Sequence, residues 1–466
     1  MTPHEAQTSF GFTDAAAFGF VPEARGLDNA HALQRAVDGG GTVVVSRPGI
    51  YRISDTVLVG SHTSLIFGNN VILEKTDEAG AFSHVILNKG ALTKSCDERI
   101  VIQGLELRVN SVDVRKFKVY GLRGQLAFFH VRDVRISGFR CYDLGDEQFG
   151  IHVCTFEDLV IEDVVVKGLK DGVHLGRGKR FMIRDAVFET GDDAIALNAH
   201  DYSVSNPEIG WIEDGVIENI RDLENSAKND GYFCRILAGA WVDWQEGMMV
   251  RRSDTVVSEG RLYRVHSEPD GSLYRSVTRP THEAGSVTLD GINWSAVQDD
   301  VLYTACVRNV TFRNISLLMP RVSFSIHFDN DIYSRSYYPG AQIPKQEQLV
   351  LENVRVLHHA PLDFLRVATP VDVITMSQCS LRNNPIRFLD CSELNEYGET
   401  HVNLIGCVFR HAGEMEVVTN EVPEKELTFS TSATVELSDA FSAVATSGPG
   451  RIVVNSDLTG LNRRTE

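Results

Sequence analysis

The sequence predicts an all-β protein built as a right-handed parallel β-helix, a solenoid with an N-terminal capping helix and one small inserted β-module. Two observations carry this prediction. A single strand phrase recurs along most of the chain, and where it is most regular its copies lie 22 residues apart. Three short strands and their turns fill about that length in one coil of a β-solenoid, so each copy stacks on its predecessor.

The elements follow in order. Residues 28 to 41, DNAHALQRAVDGGG, place Ala30, Leu33, Ala36 and Val37 at helical spacing, with Asp28 or Asn29 as cap and three glycines as stop. A solenoid exposes apolar surface and unpaired strand edges at its open ends, so this short helix is expected to cover the first coil. From Thr42 to Lys75 short Val/Ile/Leu-rich runs alternate with Pro-Gly, Ser-Asp, Gly-Ser and Gly-Asn-Asn turn signals, which mark strands. The phrase then recurs as ERIVIQGLELRV at 98 to 109, RDVRISGFRC at 132 to 141, EDLVIEDVVV at 157 to 166, KRFMIRDAVF at 179 to 188 and VRNVTFRNISL at 307 to 317. QLVLENVRVL, DVITMSQCSL and HVNLIGCVFR continue it downstream. Each copy has apolar pairs on either side of a polar kink, often Asn, Asp or Gly. The pairs Ile161 and Ile183, Asp163 and Asp185, and Val165 and Val187 are each separated by 22. Leucine-rich repeats share that length, but their L-x-x-L-x-L-x-x-N frame is missing.

Residues 241 to 300 carry no rung phrase, have hairpin-like Ser-Glu-Gly and Pro-Asp-Gly turns, and hold Trp241, Trp244 and Trp294. The domain organisation expected is therefore a coil over 1–240 and 301–466, interrupted by a β-module at 241–300. The run from Asp254 through Tyr263 to Trp294 resembles small carbohydrate-binding modules of the chitin-binding kind. Its aromatics are expected either to stack on sugar faces or to form the minimal core that so small a module requires.

Composition excludes several classes. With 45 Lys plus Arg against 63 Asp plus Glu the net charge is −18. No basic cluster offers a footprint for nucleic-acid phosphates. No stretch approaches the roughly 18 consecutive apolar residues of a membrane span. MTPHEAQTSF has neither the basic nor the apolar region of a secretory signal, so the expected location is intracellular or, with a trimmed leader, secreted or periplasmic. The eight cysteines have no CxxC spacing and are expected to be buried, reduced packing residues.

The chemistry concentrates in GLKDGVHLGRGKRFMIRDAVFETGDDAIALNAHD, residues 168 to 201. Asp171 and Asp193 are one period of 22 apart, so they stack on neighbouring rungs at about the 4.8 Å spacing of paired strands, with Asp192 beside them. Such crowding costs stability and favours one protonated acid among ionised neighbours, as glycosidic hydrolysis requires. If Val173 and Leu175 point inward, strict alternation would bury Asp171 and Asp193 as well. Gly172 and Ala194 are expected to bend the chain and turn them outward. By the same parity His152 and His174 are expected to face solvent beside the acids and to bind a sugar hydroxyl or tune a carboxylate.

On these residues the sequence resembles glycoside hydrolase family 28, the polygalacturonase family of pectin-lyase-like β-helices. The segment GLDNAHALQRAVDGGGTVVVSRPGIYRIS also resembles the opening of that superfamily. The family's Asn-Thr-Asp-Gly motif is matched by Leu169, Lys170, Asp171 and Gly172, where only the Asp and Gly agree. Its Gly-Asp-Asp motif is matched fully by Gly191, Asp192 and Asp193. The resemblance implies that Asp192 is the general acid, that Asp171 and Asp193 hold and deprotonate the water, and that the anomeric carbon inverts. No metal and no other cofactor is expected. The family's Gly-His-Gly tripeptide is absent, and its Arg-Ile-Lys motif is met by Arg235, Ile236 and Leu237 without the Lys. In a second alignment Arg235 occupies the Gly-His-Gly rung, and Ser325 to Asp329 supply the next.

Three further segments are candidates for shaping the cleft. Asn198 to Tyr202, with His200, follows a rung strand as a wall. Arg235 serves as a substrate clamp or a structural counter-ion. His327 and Asp329 begin a run rich in hydrogen-bonding groups. The function expected is an inverting glycoside hydrolase with a poly- or oligosaccharide as partner. The alternatives are a polysaccharide lyase in which the acid cluster binds Ca²⁺ and Arg235 is the base, and a non-catalytic glycan-binding β-helix of tail-spike or adhesin type. The negative balance repels polyanions at long range, which favours a neutral or weakly acidic glycan. The linkage and the oligomeric state are not legible in these residues.

Overall fold

In a computed structural model of the chain, the described residues are 11–268, 270–389, 399–411, 415–423, 425–438, 444–456 and 461–463. The chain divides into two compact units, Met1–Ile195 with Glu218–Asp230, and Ala196–Ile217 with Gly231–Glu466. Both are built from parallel strands stacked coil on coil, the parallel β-helix expected from the repeat. Among the described residues no helix is long and apolar enough to cross a membrane.

In the first unit the helix spans Gly26–Asp38. It begins two residues before the expected start, with Arg25 as N-cap, so neither Asp28 nor Asn29 caps it. Asn29 is buried and ties separate segments together: its Oδ1 accepts from Val21 N at 3.1 Å and its Nδ2 donates to Arg52 O at 3.1 Å. Ala30, Leu33, Ala36 and Val37 form the buried face. On the same helix Gln34 donates from Nε2 to Leu58 O at 2.9 Å and accepts from Leu58 N at 2.7 Å. The side-chain amide thus satisfies a strand backbone as a neighbouring strand would, which is what an end cap has to do.

The rungs are in register. Gly41–Val45 pairs with Thr63–Phe67, Gly49–Ile53 with Val71–Lys75, and Phe149–Gly168 with Gly178–Thr190. The partners Ile161 and Ile183 are fully buried, so like residues stack on like through the core. The kinks are left-handed turns, with φ of 51° at Asp163 and 54° at Asp185. Asp and Asn tolerate that region better than other residues with a Cβ, which explains their recurrence at this point of the phrase.

The second unit holds the rung strands Val307–Leu317, Glu347–Val356, Val373–Ser377 and Thr400–Ile405. Its strands Cys234–Leu237 and Phe324–His327 pair in register, Arg235 beside Ser325, although 90 residues separate those partners. Part of the intervening chain forms a separate five-stranded sheet in the order Val242–Asp243, Thr255–Ser258, Arg261–Val265, Ile292–Gln298, Ser286–Leu289. Tyr263, Trp294 and Trp244 pack with Val250, Val256, Val265 and Ile292 in its core. Of the two expectations for these aromatics the core is the one observed, because so small a sheet has little else to bury. Six of the described cysteines are buried, whereas Cys96 is exposed and departs from the packing expectation. Cys391 lies outside the described residues.

Candidate active site

The acid cluster belongs to the first unit and is set by a corner in each of two rungs. A Cβ on Gly172 would lie 2.4 Å from the Phe188 ring, so position 172 faces the apolar core. Val173, the next residue, is also fully buried in that core. Two successive inward positions make a corner that turns Asp171 off the apolar face, but Asp171 and Asp193 stay almost fully buried and do not turn out to solvent as the sequence leads one to expect. The coil above is held by Gly172 N to Asp193 O at 3.0 Å and by Gly191 N to Gly168 O at 2.8 Å. Glycine is required at 191 as well, since a Cβ there would lie 2.6 Å from Lys228 Cβ.

One carboxylate oxygen from each of Asp171, Asp192 and Asp193 lies within 4.8 Å of the others. Asp171 and Asp193 are almost fully buried, whereas the Asp192 side chain keeps 21% of its exposure. Asp171 Oδ2 meets His174 Nδ1 at 2.9 Å. Asp192 Oδ1 accepts from Asp193 N at 3.1 Å, and its Oδ2 is ion-paired with Lys170 Nζ. Oxygens this close have a spacing a cation can use, but the Lys170 ammonium already supplies positive charge to the cluster, and no metal or cofactor is assigned to it.

The two histidines depart from expectation. His152 and His174 are register partners, yet both are fully buried rather than exposed to solvent. The Phe149 ring stacks on His174 at 4.3 Å between centroids, and Arg123 lies over Phe149 at 4.4 Å. His152 Nδ1 accepts from Arg123 N at 3.0 Å. Parity sets the side of the strand on which they stand, but Phe149 and Arg123 then cover it. Neither meets solvent.

A separate polar cluster forms in the second unit. Arg235 Nη2 is 3.3 Å from Asp201 Oδ2, which also accepts from Asn198 Nδ2 at 2.6 Å. His327 Nε2 is 3.4 Å from Asp329 Oδ1, and His327 Nδ1 is 3.0 Å from Ser325 Oγ. Burial pushes the Asp201 carboxyl up to about 6 against the pull of Arg235. Burial acts in the same direction on Asp329, but the His327 hydrogen bond and the Arg235 charge bring that carboxyl below its ordinary value. His200 is fully buried and its Nε2 is 3.2 Å from Thr255 Oγ1. Burial, then the charge of Arg264, lowers the His200 imidazole to about 3, so it is neutral. The side chains of Arg235, His327 and Asp329 keep 18%, 20% and 10% of their exposure, which distinguishes them from His200.

Sequence reasoning missed Lys170, and placed Asp201 only within the Asn198 to Tyr202 segment expected to wall the cleft. Lys170 carried a usable signal, since it stands 22 residues before Asp192. Asp201 carried none, because its partner Arg235 lies 34 residues away and outside the period.

No protein-family model matches the sequence, and a search of curated proteins finds no match. The fold is similar to that of the pre-mature gene product 12 of bacteriophage phi29, with 12% identity and a TM-score of 0.51 over 92% of this chain. The chain spans 56% of the length of that protein. The N-terminal fragment of the same gene product aligns with 11% identity and a TM-score of 0.50, covering 92% of this chain and 72% of the fragment. A family 28 exopolygalacturonase of Yersinia enterocolitica aligns with 13% identity and a TM-score of 0.46, covering 94% of this chain and 79% of the enzyme. At these identities the likeness is one of fold.

Proposed function

We propose that this chain is an inverting glycoside hydrolase acting on a poly- or oligosaccharide. The observation that carries the reading is the convergence of Asp171, Asp192 and Asp193 within 4.8 Å. Asp192, the most exposed of the three, gives its proton to the leaving glycosidic oxygen as the C–O bond breaks. A water held by Asp171 and Asp193 attacks the anomeric carbon and loses its proton to one of them. His174 positions Asp171 for that task. Arg235, His327 and Asp329 are proposed as sugar-binding groups of the second unit, being polar and partly open. The Asp201 carboxylate beside Arg235 favours a charged guanidinium, which speaks against Arg235 as a lyase base.

In most inverting glycosidases the two carboxyls stand about 6.5–9.5 Å apart, and in retaining ones about 5–5.5 Å. Here one oxygen of each carboxylate lies within 4.8 Å of the others, which is short. Inversion therefore depends on Asp171 and Asp193 sharing one water, which makes product stereochemistry the informative measurement.

The test is a screen of the purified protein on neutral and acidic polysaccharides, with the product anomer followed by NMR. The expected result is hydrolysis with inversion, reduced by about 10²- to 10⁴-fold in Asp192→Asn at unchanged circular dichroism. Full activity in that variant would remove the assignment. Retention would make Asp171 or Asp193 a nucleophile, and glycan binding without turnover would favour the adhesin reading.

A further inference from the structure

We propose that Lys170 is a positioning residue of the acid cluster, an internal cation that holds the Asp192 carboxylate in place and keeps it ionised until the pH is acidic. The inference rests on the hydrolase reading for its functional meaning, because a proton donor held as a carboxylate at neutral pH is armed only in acid.

The argument begins with the coil. Lys170 and Asp192 are 22 residues apart, the same interval that stacks Asp171 against Asp193. Two adjacent columns thus climb one pair of rungs, one of Asp over Asp and the other of Lys over Asp. The register bonds Gly172 N to Asp193 O and Gly191 N to Gly168 O fix both columns, so the ammonium meets Asp192 through backbone geometry and not through a chance surface rotamer. The pair is also sheltered, with 13% exposure at Lys170 and 21% at Asp192. Sheltered charges are screened less than those of a fully exposed pair.

The other groups facing Asp192 act in both directions. Asp171 and Asp193 raise its affinity for a proton. The Asp193 backbone N–H, at 3.1 Å from Oδ1, favours the charged form. Lys228 also acts on Asp192, but its Nζ is 2.6 Å from Asp146 and 3.4 Å from Asp230. Those two carboxylates take up much of its charge. Lys170 is in direct contact with Asp192, and Coulomb energy falls with distance, so its charge acts on that carboxylate at the shortest range. Lysine stands here at the threonine position of the family 28 motif, so this column is a departure of the present chain from the motif it resembles.

The experiment is a carbon-13 NMR titration of the aspartate carboxyls in the full-length protein, with Asp192→Asn identifying the Asp192 signal. In Lys170→Met the Asp192 midpoint is expected to rise by about 1–3 pH units, the effect of removing a contacting opposite charge. Lys170→Arg should return the midpoint close to that of the parent protein. If Lys170→Met does not fold, Lys170→Thr, with the side chain of the family motif, takes its place in the same titration. A midpoint that does not move in a folded variant overturns the proposal. A rise that Lys170→Arg fails to reverse also overturns it, since the effect would then come from altered packing and not from charge. Undiminished hydrolysis in Asp192→Asn removes Asp192 from the role of general acid, and absence of any hydrolysis by the parent protein removes the hydrolase reading; neither touches the midpoint, so the failures are distinguishable.

Discussion

The stretch from Phe149 to Asp193 and the chain around the insert in the second unit solve the same problem differently. In the first, partners are one period apart: Ile161 with Ile183, Lys170 with Asp192, Asp171 with Asp193. Backbone ladders and stacked apolar residues hold them, and polar side chains inherit their neighbours from the register. In the second, Arg235 meets Asp201 across 34 residues and pairs with Ser325 across 90. Arg264, almost fully buried, donates to Asp201 O at 3.0 Å and to Asn206 O at 2.6 Å. Bidentate Arg335 joins buried Asp254 in the same way across 81 residues. A repeat makes spatial neighbours a matter of counting, whereas an insertion replaces counting by individually aimed side chains.

The sharpest way to break this comparison is to damage the insert alone. Trp294→Ala removes a fully buried ring from its core and should cost about 3–5 kcal/mol. Urea unfolding would measure the loss, and hydrogen exchange should leave Phe149–Gly168 as protected as before. Loss of protection there would show that the regular stretch depends on the insert.

The buried Asp201 gives a somewhat smaller effect that depends on pH. Its folded-state carboxyl is raised to about 6, above the unfolded value near 3.8. The folded chain therefore binds this proton more tightly, and its contribution to stability falls as pH rises through that window. Asp201→Asn removes the falling component, so the variant should gain on the parent protein between about pH 4 and pH 6, by up to about 3 kcal/mol. Parallel stability curves for the two proteins would contradict this.

The smallest effect tests the regular stretch. Gly172→Ala brings a Cβ against the Phe188 ring and should cost about 1–3 kcal/mol through overpacking. Activity should fall further than stability alone explains, because Asp171 turns on that corner. A variant with the parent's melting temperature and activity would mean that the corner can relax.

Much of the first region was legible before any coordinates. The strand phrases, the period and the acid trio follow from counting in 22s, whereas the near-complete burial of Asp171 and Asp193 does not. Lys170 is equally countable, standing one period before Asp192. The misreadings elsewhere have physical causes. Strand parity places His152 and His174 on the solvent side, but it sets only a side of the strand and not what covers it, and Phe149 with Arg123 covers it. The helix began early because Asn29, a good cap by type, is used instead to tie Val21 to Arg52.

The sequence by itself therefore determined the coil, its cap and the stacked columns of aspartates, because each depends on local turn chemistry and on a constant interval along the chain. Only the tertiary structure decided that Lys170 closes on Asp192, that the histidines lie under an aromatic lid, and that Asp201, Arg235, His327 and Asp329 share one cluster. Such contacts depend on rotamers and on segments brought together across an insertion, and neither follows from a period.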